Sequence, residues 1–511
     1  MNITSVVWKL LLVFLLPLNV VAQVLPVEGG KLNYRIIGFS FQGSVAGTQC
    51  RLEIAEGHYN NVDSFRKNIV VTRKCEKNRV VAEVPLFGKE YTWRVTYPDA
   101  NTAQEALHHF TTLQVPNVDT AHMRLRVLQQ AKKYKDAYVF VDGNRVLYDM
   151  KGNAVWFLPD NFGEFEHMKK ELRDMKVSPQ GTITFLIGAS IYDMDYNGNV
   201  LWKGPDRGMV SGGAFEGYHH EMTRLPNGHY MVLGEENSLL DVNEAKNGKL
   251  VLKSGRENLS DSAKKNFIKA GIGTVIEYDS KNNIVWSWKA SSWLPGSDLI
   301  YYIEKTSPPA LSLHENSFFF DSKEKVVYLG IRNLSRILKI KYPEGTVLAS
   351  YGETYKPGVP EDGNGLFCRQ HCCRESANGD LYLFDNHYCT AHTMPKLIVM
   401  EQPKDGPGTL KEKWEYTCTI DSPAAKMDYS FPMGGGVMEL PDHSFFSCMG
   451  STYSKVFIVN RDKEILWSAL PEVWNERAKA WGVNYSYRAS ILTTRADLEH
   501  LIWGEKINEV L

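Results

Sequence analysis

The 511-residue sequence lacks an excess of charge of either sign, because 58 lysines and arginines nearly balance 59 aspartates and glutamates. It also lacks a basic tract, so nothing in it favours binding to nucleic acid. Beyond residue 22, no apolar run is long enough to cross a bilayer, and no membrane span is expected. With 43% hydrophobic and 23% charged residues, the chain is expected to be globular.

The one marked apolar run lies at the start of the chain. Lys9 precedes the apolar segment Leu10–Val21, which ends in the small-residue pattern Val20-Val21-Ala22. This layout is typical of a secretory signal peptide, with an uncleaved anchor as the alternative. We therefore expect residues 1–22 to be a signal peptide that directs export.

Cysteine is scarce, and an exported chain uses it mainly in disulfides. The eight cysteines are Cys50, Cys75, Cys368, Cys372, Cys373, Cys389, Cys418 and Cys448. Cys50 and Cys75 stand alone in the N-terminal region and are expected to pair. The connectivity of the others stays open. The cluster around Cys372 could bind zinc in principle, but it lacks paired C-x-x-C knuckles.

Helical periodicity is also scarce, and only residues 256–272 and 470–481 predict helices. Between Leu32 and Val115 the chain consists of short alternating segments with polar turns, a pattern typical of a small antiparallel sandwich. The segment LFGKEYTWRVTY resembles a late strand of a fibronectin type III domain. We therefore expect an N-terminal β-sandwich domain of the Ig or fibronectin III kind over residues 23–118.

A repeat begins after residue 119. One half of each unit is an apolar strand, a polar turn and a tryptophan, as in Asp149-x-x-Gly152-x-x-x-Trp156, and the pattern recurs before Trp202, Trp286 and Trp467. The other half carries a strand, a tight turn and a second strand. Weaker copies bring the count to six units of about four strands. The sequence therefore predicts an all-β chain with a six-bladed β-propeller over residues 119–511, because a parallel β-helix would have shorter repeats.

Three histidines share one register of this repeat. His220 and His371 each lie eight residues before a turn glycine, and His314 lies eight residues before Ser322, which takes the place of that glycine. The innermost strands of a propeller surround its channel, so these three rings are expected to converge at one mouth. His219 falls outside the register. Asn316, two residues after His314, points to the same side of its strand as that histidine.

These motifs also resemble a known family. YHHEMTRLPNGHYMVL, HENS with Arg332 eighteen residues past His314, and QHCC with the later FDN are similar to the bacterial arylsulfate sulfotransferases. The resemblance covers nearly the whole chain after residue 22. It implies a periplasmic enzyme with a small N-terminal β-sandwich followed by a six-bladed propeller, and it implies a homodimer. It also implies transfer of a sulfuryl group from an aryl sulfate donor to a phenolic acceptor, with no PAPS and no cofactor.

The resemblance assigns roles residue by residue. His371 is expected to become transiently sulfurylated, with His220, His314 and Arg332 around the sulfuryl group and Asn316 as a substrate contact. These residue types suit the chemistry, because fixed positive charge stabilises the oxygens of a transferring sulfuryl group and an imidazole can form a covalent intermediate. His220 or His314, when protonated, would serve the departing phenoxide. The sequence does not choose between them.

Two features depart from the family pattern. His387 follows Asp385-Asn386 where a glycine is expected, and the adjacent Cys372 and Cys373 are unusual beside a nucleophile. These cysteines could tether the His371 loop through disulfides, or they could mark a site that has drifted. Two other functions therefore stay open: a metal-dependent lyase or hydrolase with the histidines as ligands, and a non-catalytic binding propeller. The favoured mechanism needs no metal.

Overall fold

The computed structural model describes residues 24–41, 49–75, 78–97, 106–114, 122–159, 171–206, 210, 216–255, 258–305, 311–352, 366–389, 394–404, 408–420, 433–450 and 453–504. The predicted signal peptide, residues 1–22, lies outside this set. By its internal contacts the chain forms two compact units. One contains the residues up to Lys31 with Ile37–Pro85 and Lys89–Thr111; the other contains Leu32–Ile36, Leu86–Gly88 and everything from Thr112 onward. No helix in the described ranges is both long and apolar enough to span a membrane.

The first unit is built almost entirely of strands. Its elements are β1 (Gly30–Leu32), β2 (Ile36–Ser40), β3 (Cys50–Glu56), α1 (Val62–Arg66), β4 (Ile69–Cys75), β5 (Arg79–Glu83), β6 (Glu90–Thr96) and β7 (His108–Thr112). A five-stranded sheet has the order β1-β7-β6-β3-β4, and β2 pairs with β5. Phe39 of β2 contacts Trp93 of β6 and Phe110 of β7 edge to face, at centroid distances of 5.1 and 6.1 Å, so the two sheets share an aromatic core.

The predicted pairing of Cys50 with Cys75 is confirmed. These two residues lie opposite each other on the antiparallel strands β3 and β4 and form a disulfide with a Cα–Cα distance of 5.0 Å. The bond closes a loop across one edge of the five-stranded sheet and so limits the freedom of the unfolded chain.

The described part of the second unit contains many more strands and four short α-helices. Its first half comprises β8 (Met123–Gln129), β9 (Tyr138–Val141), β10 (Val146–Asp149), β11 (Ala154–Phe157), β12 (Leu172–Val177), β13 (Ile183–Ile187), β14 (Ser190–Met194), β15 (Val200–Lys203), β16 (Glu216–Arg224), β17 (Tyr230–Asp241), α2 (Val242–Ala245), β18 (Leu252–Ser254), α3 (Asp261–Lys264), β19 (Phe267–Tyr278) and β20 (Ile284–Lys289). Its second half comprises α4 (Gly296–Lys305), β21 (Leu311–Ser312), β22 (Glu315–Asp321), β23 (Val326–Ile331), β24 (Arg336–Lys341), β25 (Val347–Tyr351), β26 (His371–Glu375), β27 (Leu381–Asp385), β28 (Lys396–Glu401), β29 (Lys411–Thr417), β30 (Gly436–Glu439), β31 (Phe445–Cys448), β32 (Val456–Val459), β33 (Ile465–Asn475), β34 (Ala480–Val483), β35 (Ala489–Leu492) and α5 (Arg495–Trp503).

These strands form six successive sheets. Their orders are β11-β10-β9-β35, β12 to β15, β16-β17-β19-β20, β22 to β25, β26 to β29 and β30 to β34, with β18 and β21 added to the third sheet and β8 added to the sixth. The C-terminal strand β35 thus joins the first sheet, beside the strands near residue 140. The residues that follow β35, from Arg495 to Trp503, form α5. The prediction of an all-β chain is confirmed.

One strand from each sheet faces a common cavity. We call β35, β12, β16, β22, β26 and β30 the inner strands. Each contributes residues to the walls of one cavity of about 650 Å³. From β35 through β12, β16, β22 and β26 to β30, each inner strand contacts the next, and β31 contacts β35.

The repeated aromatic residue connects each sheet to the following one. The indole N–H of Trp156 in the first sheet donates to the carbonyl oxygen of Tyr196 in the second, at 2.8 Å. Trp467 of the sixth sheet donates in the same way to Met150 of the first sheet, at 3.0 Å. The remaining links are Trp202 stacked on Tyr230, Trp286 to Pro343, Tyr351 to Gln402 and Trp414 to Arg461.

The two predicted helices are largely wrong. Among the described residues of the first predicted helix, 258–272, only α3 is helical, and β19 begins at Phe267 because a twelve-residue ladder with β17 satisfies its backbone. Residues 470–481 belong to the hairpin of β33 and β34. There Trp474 lies opposite Trp481 with ring centroids 5.6 Å apart, and this cross-strand pair outweighs the helix propensity of the charged turn between them.

Candidate active site

The structure brings the three predicted histidines together. The rings of His220 and His314 lie edge to face with centroids 4.8 Å apart. The ring of Tyr487 joins them to His371, because its centroid lies 5.7 Å from that of His220 and 6.1 Å from that of His371. His371 is the most enclosed of the three, with only 1% of its surface exposed.

A repeated backbone irregularity produces this convergence. The pairing of each inner strand with its neighbour shifts near the cluster: at residues 173–176 in β12, 219–222 in β16, 315–317 in β22 and 371–374 in β26. Beside each shift one residue has a left-handed backbone: Asp174, His220, His314 and Cys372 have φ of 57°, 58°, 57° and 54°. A bulge bends the strand and re-aims its side chains. Left-handed conformations cost non-glycine residues roughly 1–2 kcal/mol and concentrate at functional sites.

Asn386 fixes the tautomer of His371. The Asn386 amide nitrogen donates to the carbonyl oxygen of Gly434 at 3.0 Å, which leaves its Oδ1 as an acceptor. That Oδ1 lies 2.6 Å from Nδ1 of His371, so Nδ1 carries the ring proton. The lone pair of the neutral ring is therefore on Nε2. A hydrogen bond to the remote nitrogen both orients an imidazole and sets its reactive atom.

All three histidines are neutral in the free site. Burial lowers the pKa of His371 well below its usual 6.5, and the charges of Arg332 and His314 lower it further. Burial and Arg332 lower the pKa of His314 to about 3. Burial, followed by His219 and His314, holds the pKa of His220 well below 6.5. A histidinium ready to donate a proton, as the sequence analysis expects, is thus not the resting state.

Arg332 supplies a fixed positive charge. Its backbone N–H donates to the carbonyl oxygen of His314 at 3.1 Å, and its guanidinium donates to Asn333 Oδ1 at 2.7 Å. Arg369 donates to the same oxygen at 3.0 Å, so two arginines share one acceptor. Burial and the charge of Arg369 lower the pKa of Arg332 to about 10, which still leaves it protonated at neutral pH.

Asn316 lies in the protein interior and does not line an open pocket. It is completely buried, and its amide nitrogen donates to the carbonyl oxygen of Gln370 at 2.7 Å. This bond connects β22 to the residue before His371. The predicted substrate contact of Asn316 stays a prediction.

Three residues of the site escaped the sequence analysis. His219 falls outside the eight-residue register shared by the three predicted histidines. The bulge in β16 nevertheless leaves its Nδ1 only 2.7 Å from Nδ1 of His220. Tyr487 precedes β35, a strand assigned to no repeat. Arg173 lies on β12 with its guanidinium carbon 5.2 Å from the Tyr487 ring. Recognition of β35 as the inner strand of the first sheet would have pointed to Tyr487, which lies just before that strand, as a residue near the histidines.

A disulfide brackets the strand pair that carries His371 and Asn386. Cys368 pairs with Cys389, and the Cys368 N–H donates to Asp385 Oδ1 at 2.8 Å. His387 also donates its N–H to that oxygen, at 2.9 Å. Cys372 and Cys373 are buried free thiols. A disulfide does tether the loop before His371, but it is formed by Cys368 rather than by these two cysteines.

No set of three or more His, Cys, Asp or Glu residues within the described ranges is arranged to hold a metal ion.

The site combines three neutral histidines with a fixed positive charge on Arg332. These are features of an enzyme site that binds an anionic group. The sequence model of the family Arylsulfotransferase (ASST) matches residues 124–244 and 240–404, more than half of the chain. The protein belongs to the arylsulfotransferase family. The resemblance given by its motifs is thereby confirmed. No curated protein matches the chain significantly.

Several solved structures are weakly similar. A protein of unknown function from Bacteroides caccae is 10% identical over 72% of this chain and 98% of its own, with a TM-score of 0.38. Apo AztD from Citrobacter koseri is 9% identical over 87% of this chain and 98% of its own, with a TM-score of 0.30. A protein from Lactobacillus plantarum is 12% identical over 70% and 99%, with a TM-score of 0.32. At these TM-scores the likenesses carry no argument about fold or function.

Proposed function

We propose that this protein transfers a sulfuryl group from an aryl sulfate to a phenol in two half-reactions, through a covalent sulfo-His371 intermediate. The observation that carries the proposal is the contact between His371 Nδ1 and Asn386, which leaves the lone pair on Nε2 in a site that also holds Arg332. Membership of the arylsulfotransferase family supplies the chemical class.

In the first half-reaction, Nε2 of His371 attacks sulfur. The S–O bond to the aryl group breaks, a phenoxide leaves, and the sulfuryl group is bonded to Nε2. Nδ1 keeps its proton, and the Asn386 oxygen stabilises the positive charge that develops on the ring. Arg332 stabilises the sulfuryl oxygens, where the charge of the transition state lies.

His220 and His314 manage the proton of the phenol. Both are neutral in the free site, and a bound sulfate ester raises their pKa because a histidinium is stabilised beside an anion. One of them then protonates the departing phenoxide. In the second half-reaction an acceptor phenol gives its proton to the same histidine while its oxygen attacks sulfur, and Nε2 of His371 is released. Neither step uses PAPS or another cofactor.

We also propose that residues 119–511 form a six-bladed propeller and that residues 23–118, which precede it in the sequence, form a β-sandwich. The succession of aromatic links supports the propeller, since it runs from the first sheet to the sixth and then from Trp467 to Met150 of the first. The single cavity lined by all six inner strands supports it as well. The homodimer is an expectation from the family only.

Export to the periplasm is part of the same proposal. Two disulfides, Cys50–Cys75 and Cys368–Cys389, fit an oxidising compartment. The apolar run that ends at Ala22 fits a signal peptide. Donor and acceptor would then be small aryl molecules outside the cytoplasm. The proposed reaction does not require a nucleotide sulfate donor.

The test is a two-substrate assay with 4-nitrophenyl sulfate as donor and a simple phenol as acceptor. We expect release of 4-nitrophenol matched by sulfation of the acceptor, and no turnover in His371→Ala. His443→Ala is the control, because about half of the His443 side chain is exposed and its ring contacts Glu439 rather than the histidine cluster. Full turnover in His371→Ala would refute the assignment, and activity that is lost to a chelator and restored by zinc would favour a metal-dependent enzyme.

A further inference from the structure

The cavity lined by the inner strands is separate from the histidine cluster. Of the described residues that line it, none is His220, His314 or His371. Its walls use positions that follow the histidines along the chain, such as Glu221 and Arg374. It extends to residues of α5 and to the turn after β12. The proposed reaction therefore makes no use of it.

Five charged side chains occupy one end of this cavity. We call Asp174, Lys176, Glu221, Arg374 and Arg488 the ionic cluster. Arg488 lies 2.8 Å from Asp174 Oδ1 and 3.2 Å from Glu221 Oε2. Lys176 Nζ lies 2.8 Å from Asp174 and 3.3 Å from Glu221. Arg374 also contacts the carboxylate of Glu221. The five residues come from β12, β16, β26 and the segment before β35.

The ionic cluster has one positive charge more than its carboxylates neutralise. Three cations face two carboxylates. Burial alone would raise the pKa of Glu221, but Arg374 and Arg488 hold it below its usual value, so Glu221 stays ionised beside the arginines. The side chains of Asp174 and Glu221 are only 4% and 1% exposed, whereas those of Lys176 and Arg374 are 22% and 17% exposed. The cations therefore present the accessible surface of the cluster to the cavity.

Other charged groups along the cavity have partners of their own. Glu439 contacts His443 and Arg461, at 3.0 and 3.2 Å. Asp497 accepts the N–H of Thr494 at 2.8 Å, as part of the N-terminal cap of α5. Neither carboxylate contacts the ionic cluster. The excess positive charge is thus local to the end of the cavity formed by Lys176, Arg374 and Arg488.

The side walls are mainly apolar. Every inner strand contributes to the lining, and the apolar residues include Met175, Val177, Phe318, Phe319, Val437, Met438, Ile491 and Leu492. A cavity of about 650 Å³ is within the range that holds a drug-sized molecule. A charged end with apolar walls suits a ligand that has one ionic head and an apolar body.

We propose that this cavity binds an organic monoanion. Its carboxylate, sulfate or sulfonate head lies on Lys176 and Arg374, and its apolar body lies against Phe318, Val437 and Ile491. An unbalanced charge with little access to water is costly, and an anion held by charge-assisted hydrogen bonds offsets that cost. The site is distinct from the sulfuryl-transfer site and does not depend on that function being correct.

The test measures binding of 2-naphthalenesulfonate to the full-length protein by calorimetry and by the shift in thermal unfolding. This probe has a carbon–sulfur bond, so it is not a sulfuryl donor. We expect a saturable binding component that is weakened at least about tenfold by Lys176→Met and by Lys176→Gln, which remove the excess charge. Binding of the sulfonate at the sulfuryl-transfer site is a separate component that these two variants leave unchanged. Lys413→Met is the matched control, because Lys413 pairs with Asp380 away from the cavity. We also expect 2-naphthol, which lacks the charge, to bind about tenfold more weakly.

A second comparison separates this cavity from the histidine cluster. We expect Arg332→Ala and His371→Ala to keep the Lys176-dependent binding component at the affinity of the parent. Loss of that component in those variants would place it at the histidines and overturn the proposal. So would undiminished binding in both Lys176 variants, or no binding by the parent protein. If Lys176→Met does not fold, Lys176→Gln still provides the comparison.

Discussion

The proton on His371 is held by an amide rather than by a carboxylate. Asn386 accepts from Nδ1 at 2.6 Å and its own orientation is fixed by Gly434. An amide oxygen orients the ring but brings no negative charge that would favour the histidinium. The His371 ring therefore stays neutral while its orientation is fixed.

Two substitutions at Asn386 distinguish orientation from charge. We expect Asn386→Ala to slow the donor half-reaction by about 10–100-fold, because the ring loses the contact that orients it. Asn386→Asp keeps an acceptor but adds charge, so it raises the pKa of His371 and makes the rate fall in weak acid. Rapid-quench measurement of the 4-nitrophenol burst across pH checks both. Equal pH profiles for Asn386→Asp and the parent would contradict this role.

The low pKa of each histidine also determines the pH dependence of the parent enzyme. A base whose pKa is lowered stays unprotonated at lower pH. His371, whose pKa is well below 6.5, is therefore unprotonated and able to attack in weak acid, and 4-nitrophenoxide, an electron-poor leaving group, departs without a proton from His220 or His314. We expect the donor half-reaction, measured as kcat/KM for 4-nitrophenyl sulfate, to be flat from pH about 5.5 to 8. An acidic limb with a midpoint near that of free histidine would show that the resting rings are not buried and neutral.

At the scale of the strand, the glycines of β19 make room for buried carboxyl groups. A Cβ at Gly273 would lie 2.1 Å from the carboxyl carbon of Glu315, which is only 1% exposed. Burial, with the charge of Glu235 added, raises the pKa of Glu315 to about 8. Gly273 thus leaves room for the side chain of Glu315, which directly follows His314 and is largely protonated at neutral pH.

The Gly273→Ala variant tests this packing. We expect it to lower the free energy of unfolding by about 1–3 kcal/mol, since the new methyl group displaces a buried side chain. Gly482→Ala is the control, because nothing lies within 4 Å of its added Cβ. Chemical denaturation of the two variants gives the comparison. Equal stability would mean that Glu315 moves aside at no cost.

Strands and turns were predictable from local patterns, but the bulges were not. The spacing of His220, His314 and His371 ahead of their turns predicted that the three rings converge, and they do lie close together. The left-handed backbone at His220 and His314 has no sequence signal, because histidine does not demand that conformation. The same bulge brings His219 to the site, although the eight-residue register excluded it.

At the scale of the whole chain, the two disulfides serve different units and should have different consequences. Cys50–Cys75 spans 25 residues of the first unit, and Cys368–Cys389 spans 21 residues around His371 and Asn386. We expect each double replacement by serine to cost about 3 kcal/mol of stability. Only Cys368→Ser/Cys389→Ser should also slow turnover at 25 °C. Thermal unfolding and steady-state assays of both variants check this, and an equal loss of activity in the two would contradict it.

Long-range pairing limits what the sequence can reveal at this scale. The tryptophan repeat predicted the sheets, because each copy lies within one local hairpin. The pairing of β35 with β9 joins residues more than three hundred positions apart and follows no local signal. Tyr487 and Arg488 enter the structure through that pairing, so the sequence analysis missed both residues and the ionic cluster that Arg488 completes.

The central claim is that His371 Nε2 carries the sulfuryl group between the half-reactions. Protein mixed with 4-nitrophenyl sulfate in the absence of acceptor, quenched at alkaline pH and digested, should yield a peptide containing His371 that is heavier by one SO3 group. The adduct should disappear when a phenol is added, and it should be absent from His371→Ala. Turnover by the parent enzyme with no adduct on any peptide, or an adduct on His220 or His314 instead, would contradict the claim.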